Sequence, residues 1–443
     1  MKCVRNIAWP VARWSVVMAR LSILALSLST AEMSGAVAQT PLTPTFGGDF
    51  WDRPKLTGDW DGMRDQWAAQ GFTIDFDTSY TLQGIPSGGI SGPTNSLGNT
   101  LNGDLVFNLD TSKAGLWPGG DFKLRLEGRV GQSDLAKAGT VSPINAEALF
   151  PNAPGLLDQP VFGLTELTYT QFFSPNFGVS VGLLNTLEGD DNAIAGDARN
   201  NQSFFNLSFL MSGVEMAAAP SVSLGGGAVF IVSPDIIGSV SVLGSEETAT
   251  TNPFTHWNGT TVTTQWTFKH QLGDEPGGQT VGFLDAIDKS VADIFLDPRI
   301  FIKNIIVNQA IPTTHANTWA FYYNGYQYIQ GDQQKGWGPF LRAGVSDGNP
   351  NPVKWNIAAG IGGKGLIPGR DADGWGTGFY FIDMSKKGLL AALNIGNETG
   401  AEAFYNIAIT PALHGTLDTQ VVSSARPRQE TAFVLGARLN LDF

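Results

Sequence analysis

Lys123, Arg125, Glu127 and Arg129 occupy alternate positions between Phe122, Leu124, Leu126, Gly128 and Val130. In an extended strand successive side chains point to opposite faces, so the four charges share one face and the other five residues the opposite one. A row of four charges resists burial in an apolar core, because each carries a large desolvation cost unless water or an opposite charge meets it. Guanidinium forks donate to planar and vicinal oxygen acceptors, sugar hydroxyls included. Trp and Tyr rings nearby offer flat apolar faces on which sugar C–H groups rest. The same row would also serve simply to keep a pore wall wet and its strand in register, and the spacing leaves both readings open.

The remaining chemical constellations are weaker. His256, His270, His315 and His414 include no pair at i, i+4 and no adjacent carboxylate cluster, whereas a zinc site needs several converging ligands. Gly344-Val345-Ser346-Asp347-Gly348 spells the G-x-S-x-G of a hydrolase nucleophile elbow, but that motif must open a helix, and Asn349-Pro350-Asn351-Pro352 follows. Gly360 to Gly365 spells G-x-G-x-x-G, yet Leu366-Ile367-Pro368-Gly369 opposes the helix a dinucleotide site requires. Asp371-Ala372-Asp373-Gly374 lacks the later ligand positions of a calcium loop. All three read as turns. No catalytic group, metal or cofactor is expected.

The elements that would carry the charged row are strands. Phe72, Ile74, Phe76, Thr78, Tyr80 and Leu82 alternate with Thr73, Asp75, Asp77, Ser79, Thr81 and Gln83. The pattern recurs over 101–110, 177–183, 262–268, 319–329, 337–345, 355–361 and 401–410. It closes with 431–443, where Phe433, Leu435, Ala437, Leu439, Leu441 and Phe443 oppose a face that includes Arg438. Runs of about ten residues suit strands that cross a bilayer at a tilt. Aromatics near the ends of runs, among them Trp117, Trp266, Trp319, Trp337 and Trp355, suit interfacial girdles. The predicted fold is therefore all-β, a transmembrane antiparallel β-barrel with long extracellular loops. Two regions break the rhythm. Residues 185–206 read as a long polar loop. Within an apparent insertion over 271–316, Leu284, Ile287, Val291, Ile294 and Phe295 fall at helical spacing and predict a short amphipathic helix, with an irregular loop as the alternative.

Lys2, Arg5, Arg13 and Arg20 precede the apolar run Leu21–Leu28, and Ala36-Val37-Ala38 supplies a small-x-small cleavage site, so residues 1–38 read as a signal peptide. Residues 39–71 then lead into a barrel domain over 72–443. Cys3 is the only cysteine and leaves with the signal. Removing the signal's net +3 from the chain's −13 leaves −16. An acidic chain without a basic cluster is a poor match for nucleic acid.

Several motifs resemble the carbohydrate-selective porins of the OprB type. They are Lys55-Leu56-Thr57-Gly58-Asp59-Trp60-Asp61-Gly62-Met63-Arg64 with Ala69-Gln70-Gly71-Phe72, the Gly115–Gly120 segment, Gly369-Arg370-Asp371 through Gly378, and Glu402 through Pro411. The resemblance spans residues 50–443. It implies sixteen antiparallel strands in a Gram-negative outer membrane and passive, selective diffusion of small sugars through a charged constriction. Small sugars and outer-membrane lipid are the implied partners; monomer and homo-oligomer both stay open. Lys123, Arg125, Glu127 and Arg129 match by strand position, Glu402 by motif, and Arg438 joins them on an inward face. Two alternatives remain: a general or other-solute porin of this fold, and an exported soluble β-rich sugar-binding protein or enzyme.

Overall fold

The computed structural model describes residues 45–90, 97–153, 159–254, 257–292 and 313–443. Residues 1–44, which include the expected signal peptide, lie outside that set, as does the part of the predicted helix beyond residue 292. Sixteen strands of nine to eighteen residues dominate. They are β1 Phe72–Gly89, β2 Leu97–Asp110, β3 Gly120–Gln132, β4 Val161–Ser174, β5 Phe177–Asn185, β6 Val222–Ser233, β7 Ile236–Gly244 and β8 Thr260–Leu272. The second half comprises β9 Glu275–Ala292, β10 Thr313–Gln327, β11 Gly336–Ser346, β12 Val353–Lys364, β13 Gly374–Met384, β14 Glu398–Thr410, β15 Leu413–Ser423 and β16 Glu430–Asp442. A two-residue segment, Gln330–Gly331, extends the β10 edge against β11.

Every strand pairs antiparallel with its sequence neighbour, and β16 pairs with β1 to close the cylinder. Closure leaves no edge, so strand backbone hydrogen bonds are met within the sheet, the condition a lipid environment imposes. Connections of two to nine residues gather at one end; those at the other run from six to thirty-six. No helix among the described residues is long and apolar enough to cross a membrane; the crossing elements are strands.

Register confirms the two faces. Phe76, Leu105, Leu126 and Leu164 form one outward row across β1 to β4. Outward aromatics cluster near the strand ends. At the short-turn end Trp117, Phe122 and Tyr169 pack together with ring centroids 4.6–6.3 Å apart. At the long-loop end Trp355 stacks on Phe381 at 4.8 Å. The N-terminal segment is stitched to the closing seam through helix α1, Met63–Ala69. Arg64 donates to the carbonyls of Ile74 (2.7 Å) and Phe443 (3.0 Å), beneath the Phe46 and Trp60 rings.

All the alternating runs fall in strands, apart from the last two residues of 319–329 and the terminal Phe443. The helix expected over 281–296 is corrected: residues through Ala292 extend β9, and the apparent insertion instead supplies β9 and the start of β10. The reason is that apolar residues occupy both faces. Phe283 and Ile287 face outward, while Leu284 and Ala286 face inward and are fully covered by chain folded into the lumen. Apolar residues on both sides of a strand mimic helical spacing.

Candidate functional site

Two long connections fold inward over their described residues. One spans residues 133–160 and contains α2, Leu135–Ala138; the other spans 186–221 and contains α3, Leu207–Leu210, and α4, Gly213–Ala218. The charged row of β3 holds both. Lys123 Nζ meets Glu166 at 3.1 Å and Glu188 at 3.0 Å. Arg125 meets Asp104 at 2.8 Å and also pairs with Glu188. Glu127 pairs with Arg199 of the second loop, and Arg129 donates to the Ala148 carbonyl of the first. Burial pushes Glu188 up, but Arg125 and Lys123 outweigh it and hold its carboxyl below the ordinary value. Burial and neighbouring Arg125 together draw the Arg199 guanidinium down to about 9.

The opposite wall grips the second loop differently. Phe204 and Phe209, both fully buried, pack on Phe340, Tyr380 and Phe404 of β11, β13 and β14, with centroids 4.7–6.3 Å apart. Glu402 accepts the backbone N–H of Phe205 at 2.5 Å and of Asn206 at 2.9 Å. Arg342 is closed off by Asp190 and by the carbonyls of Phe209 and Gly196. Arg438 lies over the Phe205 ring at 4.0 Å, donates to Ser203 O at 2.9 Å and meets Glu147 at 3.3 Å. Burial, partly opposed by Arg438, raises the Glu147 carboxyl.

Between the second loop and the β16–β1–β2–β3 wall lies a cavity of about 390 Å³, within the about 300–1,000 Å³ typical of small-molecule sites. Its floor is a row in register, Asp442, Asp77, Asp104 and Glu127, one carboxylate from each of four neighbouring strands. Arg125 and Arg199 supply the positive charge. Several buried lining atoms have no protein partner: Asn102 Oδ1, Asp104 Oδ1, Glu127 Oε2, and Arg199 Nε and Nη2. Acceptor and donor side chains thus line one space together, a lining suited to a polar occupant.

The structure therefore brings Arg125 and Glu127 to the cavity. Lys123, Arg129, Glu402 and Arg438 anchor the inward loops instead. Sequence reading missed Arg199, Asp77, Asp104 and Asp442 as lining groups. The three aspartates were visible as polar positions of alternating strands; their alignment appears only in the register. Ser346 serves a turn, donating to Val353 O at 2.5 Å and accepting from Gly348 N. Asp373 is a turn anchor for Arg370, Tyr405 and Ala408. His270, His315 and His414 sit on separate strands and bond to Gln327, the Asp288 carbonyl and Asn406; His256 lies outside the described residues. No group of three His, Cys, Asp or Glu placed to hold a metal occurs among the described residues.

A closed, loop-narrowed barrel is common to many channels, so kinship decides among them. Residues 94–443 match the family described as carbohydrate-selective porin, OprB family. The chain belongs to that family. The matched span takes in the charged row, Glu402 and the closing strand; the Lys55–Arg64 motif lies before it. Two solved structures of Pseudomonas putida OprB are similar to this carbohydrate-selective porin. The high-pH form has a TM-score of 0.75 at 18% identity, covering 89% of this chain and 100% of that one. The low-pH form has a TM-score of 0.55 at 17% identity, covering 89% and 99%. At such identity the likeness speaks for the fold. No curated protein matches this porin's sequence significantly. Family and barrel point to a Gram-negative outer membrane and to a channel rather than an enzyme.

Proposed function

We propose that this porin passes small neutral sugars down their gradient through the cavity beside the β16–β1–β2–β3 wall, with Arg125, Glu127, Arg199, Asp104 and Asn102 as contacting groups. One observation carries the reading: carboxylates, an amide and two guanidinium groups line a single space. Each sugar hydroxyl both donates and accepts, so a polyol meets such a lining group for group. Arg125 is prepaid in position by Asp104 and Glu188, which limits the entropy lost when a hydroxyl binds. Lys123, Arg129, Glu402 and Arg438 act at one remove by seating the loops that set the opening. Five lining carboxylates face two guanidinium groups, a balance that disfavours anionic sugars such as uronates or sugar phosphates.

Single-channel recording in KCl with added glucose tests this. Glucose is expected to block the current in a concentration-dependent manner, and Arg125→Ala and Arg199→Gln to weaken the block about tenfold, the loss of one good hydrogen bond to a charged group. Current indifferent to glucose, or block unchanged in both variants, would remove the assignment and favour a general diffusion pore.

A further inference from the structure

The exposed cations of the long-loop end are unevenly spread. Among the described residues they are Lys137, Lys354, Lys386, Lys387, Arg426 and Arg428. Lys137 pairs with Asp134 at 2.8 Å. The other five all stand on the rim of β12 to β16, in a chain whose net charge is −13. Hydrogen bonds between neighbouring connections gather them. Ser385 N, one residue before Lys386, donates at 2.8 Å to the carbonyl of Pro352, two residues before Lys354. Gly396 N donates to Ala425 O at 2.6 Å, which sets Arg426 beside the connection that Lys386 and Lys387 begin. Lys386 Nζ spans that connection, donating to Ile395 O at 3.0 Å and Asn397 Oδ1 at 2.8 Å.

The acids of this rim leave the positive charge in excess. Glu398 is fully buried and accepts from Ser142 N at 2.9 Å and the Tyr380 hydroxyl at 3.1 Å. Half-buried Asp347 accepts from the Thr318 hydroxyl at 3.0 Å. Asp383 stands 3.9 Å from Lys354, whose side chain stays 61% exposed. That leaves Asp383 and the exposed Glu430 to face five cations.

Barrels of this kind place their longer connections on the outer side of the cell. Trp355, the residue after Lys354, belongs to the aromatic girdle at that end and has Asp383 as its partner in register. The cations therefore begin where the hydrocarbon layer gives way to lipid headgroups. Beneath them Phe379, Ala401, Val421 and Phe433 form one outward row in register across β13 to β16, an apolar wall for acyl chains. Lys and Arg donate charge-assisted hydrogen bonds to phosphate, and clustered basic residues are drawn to anionic lipid over about a Debye length.

We propose that the β12–β16 rim binds a phosphate-bearing glycolipid of the outer leaflet. Lys354, Lys386, Lys387, Arg426 and Arg428 surround its phosphates, and its acyl chains lie along β13 to β16.

Titration of the detergent-solubilised protein with diphosphoryl lipid A, read by native mass spectrometry, tests the surface. The wild-type protein is expected to hold the lipid, and K354Q/K386Q/K387Q/R426Q/R428Q to hold it at least tenfold less tightly. Lys335→Gln with Lys364→Gln, at the opposite end of the barrel, should bind as wild type does. Lipid retained by the five-residue variant, or equal weakening in both variants, overturns the proposal. The deacylated bisphosphorylated disaccharide separates lipid from free phosphate. It should bind at least tenfold more weakly than the intact lipid, and equal affinity assigns a free-anion site instead. Should the five-residue variant not fold, K386Q/K387Q gives the same reading with a loss of about threefold, and unchanged affinity there counts against the surface. No sugar passes in this measurement, so it stands or fails apart from the glucose block.

Discussion

The lumen has a dry wall and a wet wall, and the same loop touches both. Along β11 to β14 the inward positions include Phe340, Tyr380 and Phe404, onto which the loop packs Phe204 and Phe209, while Arg342 and Glu402 bond to the loop backbone beside them. Along β16, β1, β2 and β3 the inward positions are Asp442, Asp77, Asp104 and Glu127, and the loop answers with Arg199 and the amides of Asn200 to Gln202. Aromatic faces pack to contact by dispersion and exclusion of water. Charged groups stop at hydrogen-bond distance and leave a space lined by polar groups. Where the larger cavity lies is thus decided by which inward faces refuse to pack.

The contrast breaks most readily from the dry side. Phe204→Ala should cost about 3–5 kcal/mol, the usual loss for a core aromatic, and release the loop tip. Single-channel conductance is then expected to rise and glucose block to fall; unchanged conductance would show that the wet side alone holds the loop. Glu402→Ala comes next. It strips the acceptor from two backbone N–H groups, each such charged bond contributing about 1.5–3 kcal/mol. Hydrogen exchange at Phe205 and Asn206 reads the result, with equal protection in variant and wild type counting against the anchor role.

On the wet side, Asp77→Asn with Asp442→Asn removes two of the five lining carboxylates while keeping shape. The reversal potential in a KCl gradient should move toward anions, with stability changed little; a stationary potential would place the ion path elsewhere. The smallest effect concerns pH. Burial, with Asp191 and Glu188 nearby, raises the Asp197 carboxyl to about 7. Its folded value exceeds its unfolded one, so its destabilising contribution is complete above about pH 7 and fades as pH falls below that. Protection of residues 190–200 should therefore increase from pH 8 to pH 5, by at most roughly tenfold per pH unit. Glu188, held low by its cations, gives no opposing change in that window. Protection that falls on acidification would contradict the assignment.

The barrel was legible because alternation is a local property: each residue of Phe122–Val130 declares its face without reference to any other strand. Two of the strands that escaped notice lack a polar inward face. β9 hides Leu284 and Ala286 beneath α4, and β6 carries Gly225 and Gly227 where a charge would have marked the face. The charged row of β3 was likewise legible, and so was its inward direction. Its division of labour was not. Whether Lys123 binds a solute or seats a loop depends on Glu188, sixty-five residues away, and that pairing exists only once β5 has brought the loop across the lumen.

By itself, then, the sequence determined a two-faced strand protein, a charged inner surface and a family. Tertiary structure alone decided that four carboxylates from four strands share one level, that Arg199 faces them, and that the Gln271–Ala316 region builds wall up to Ala292 and again from Thr313. The physical reason is that face is set by a residue's own position in its strand, whereas level is set by register between strands and by what the loops bury.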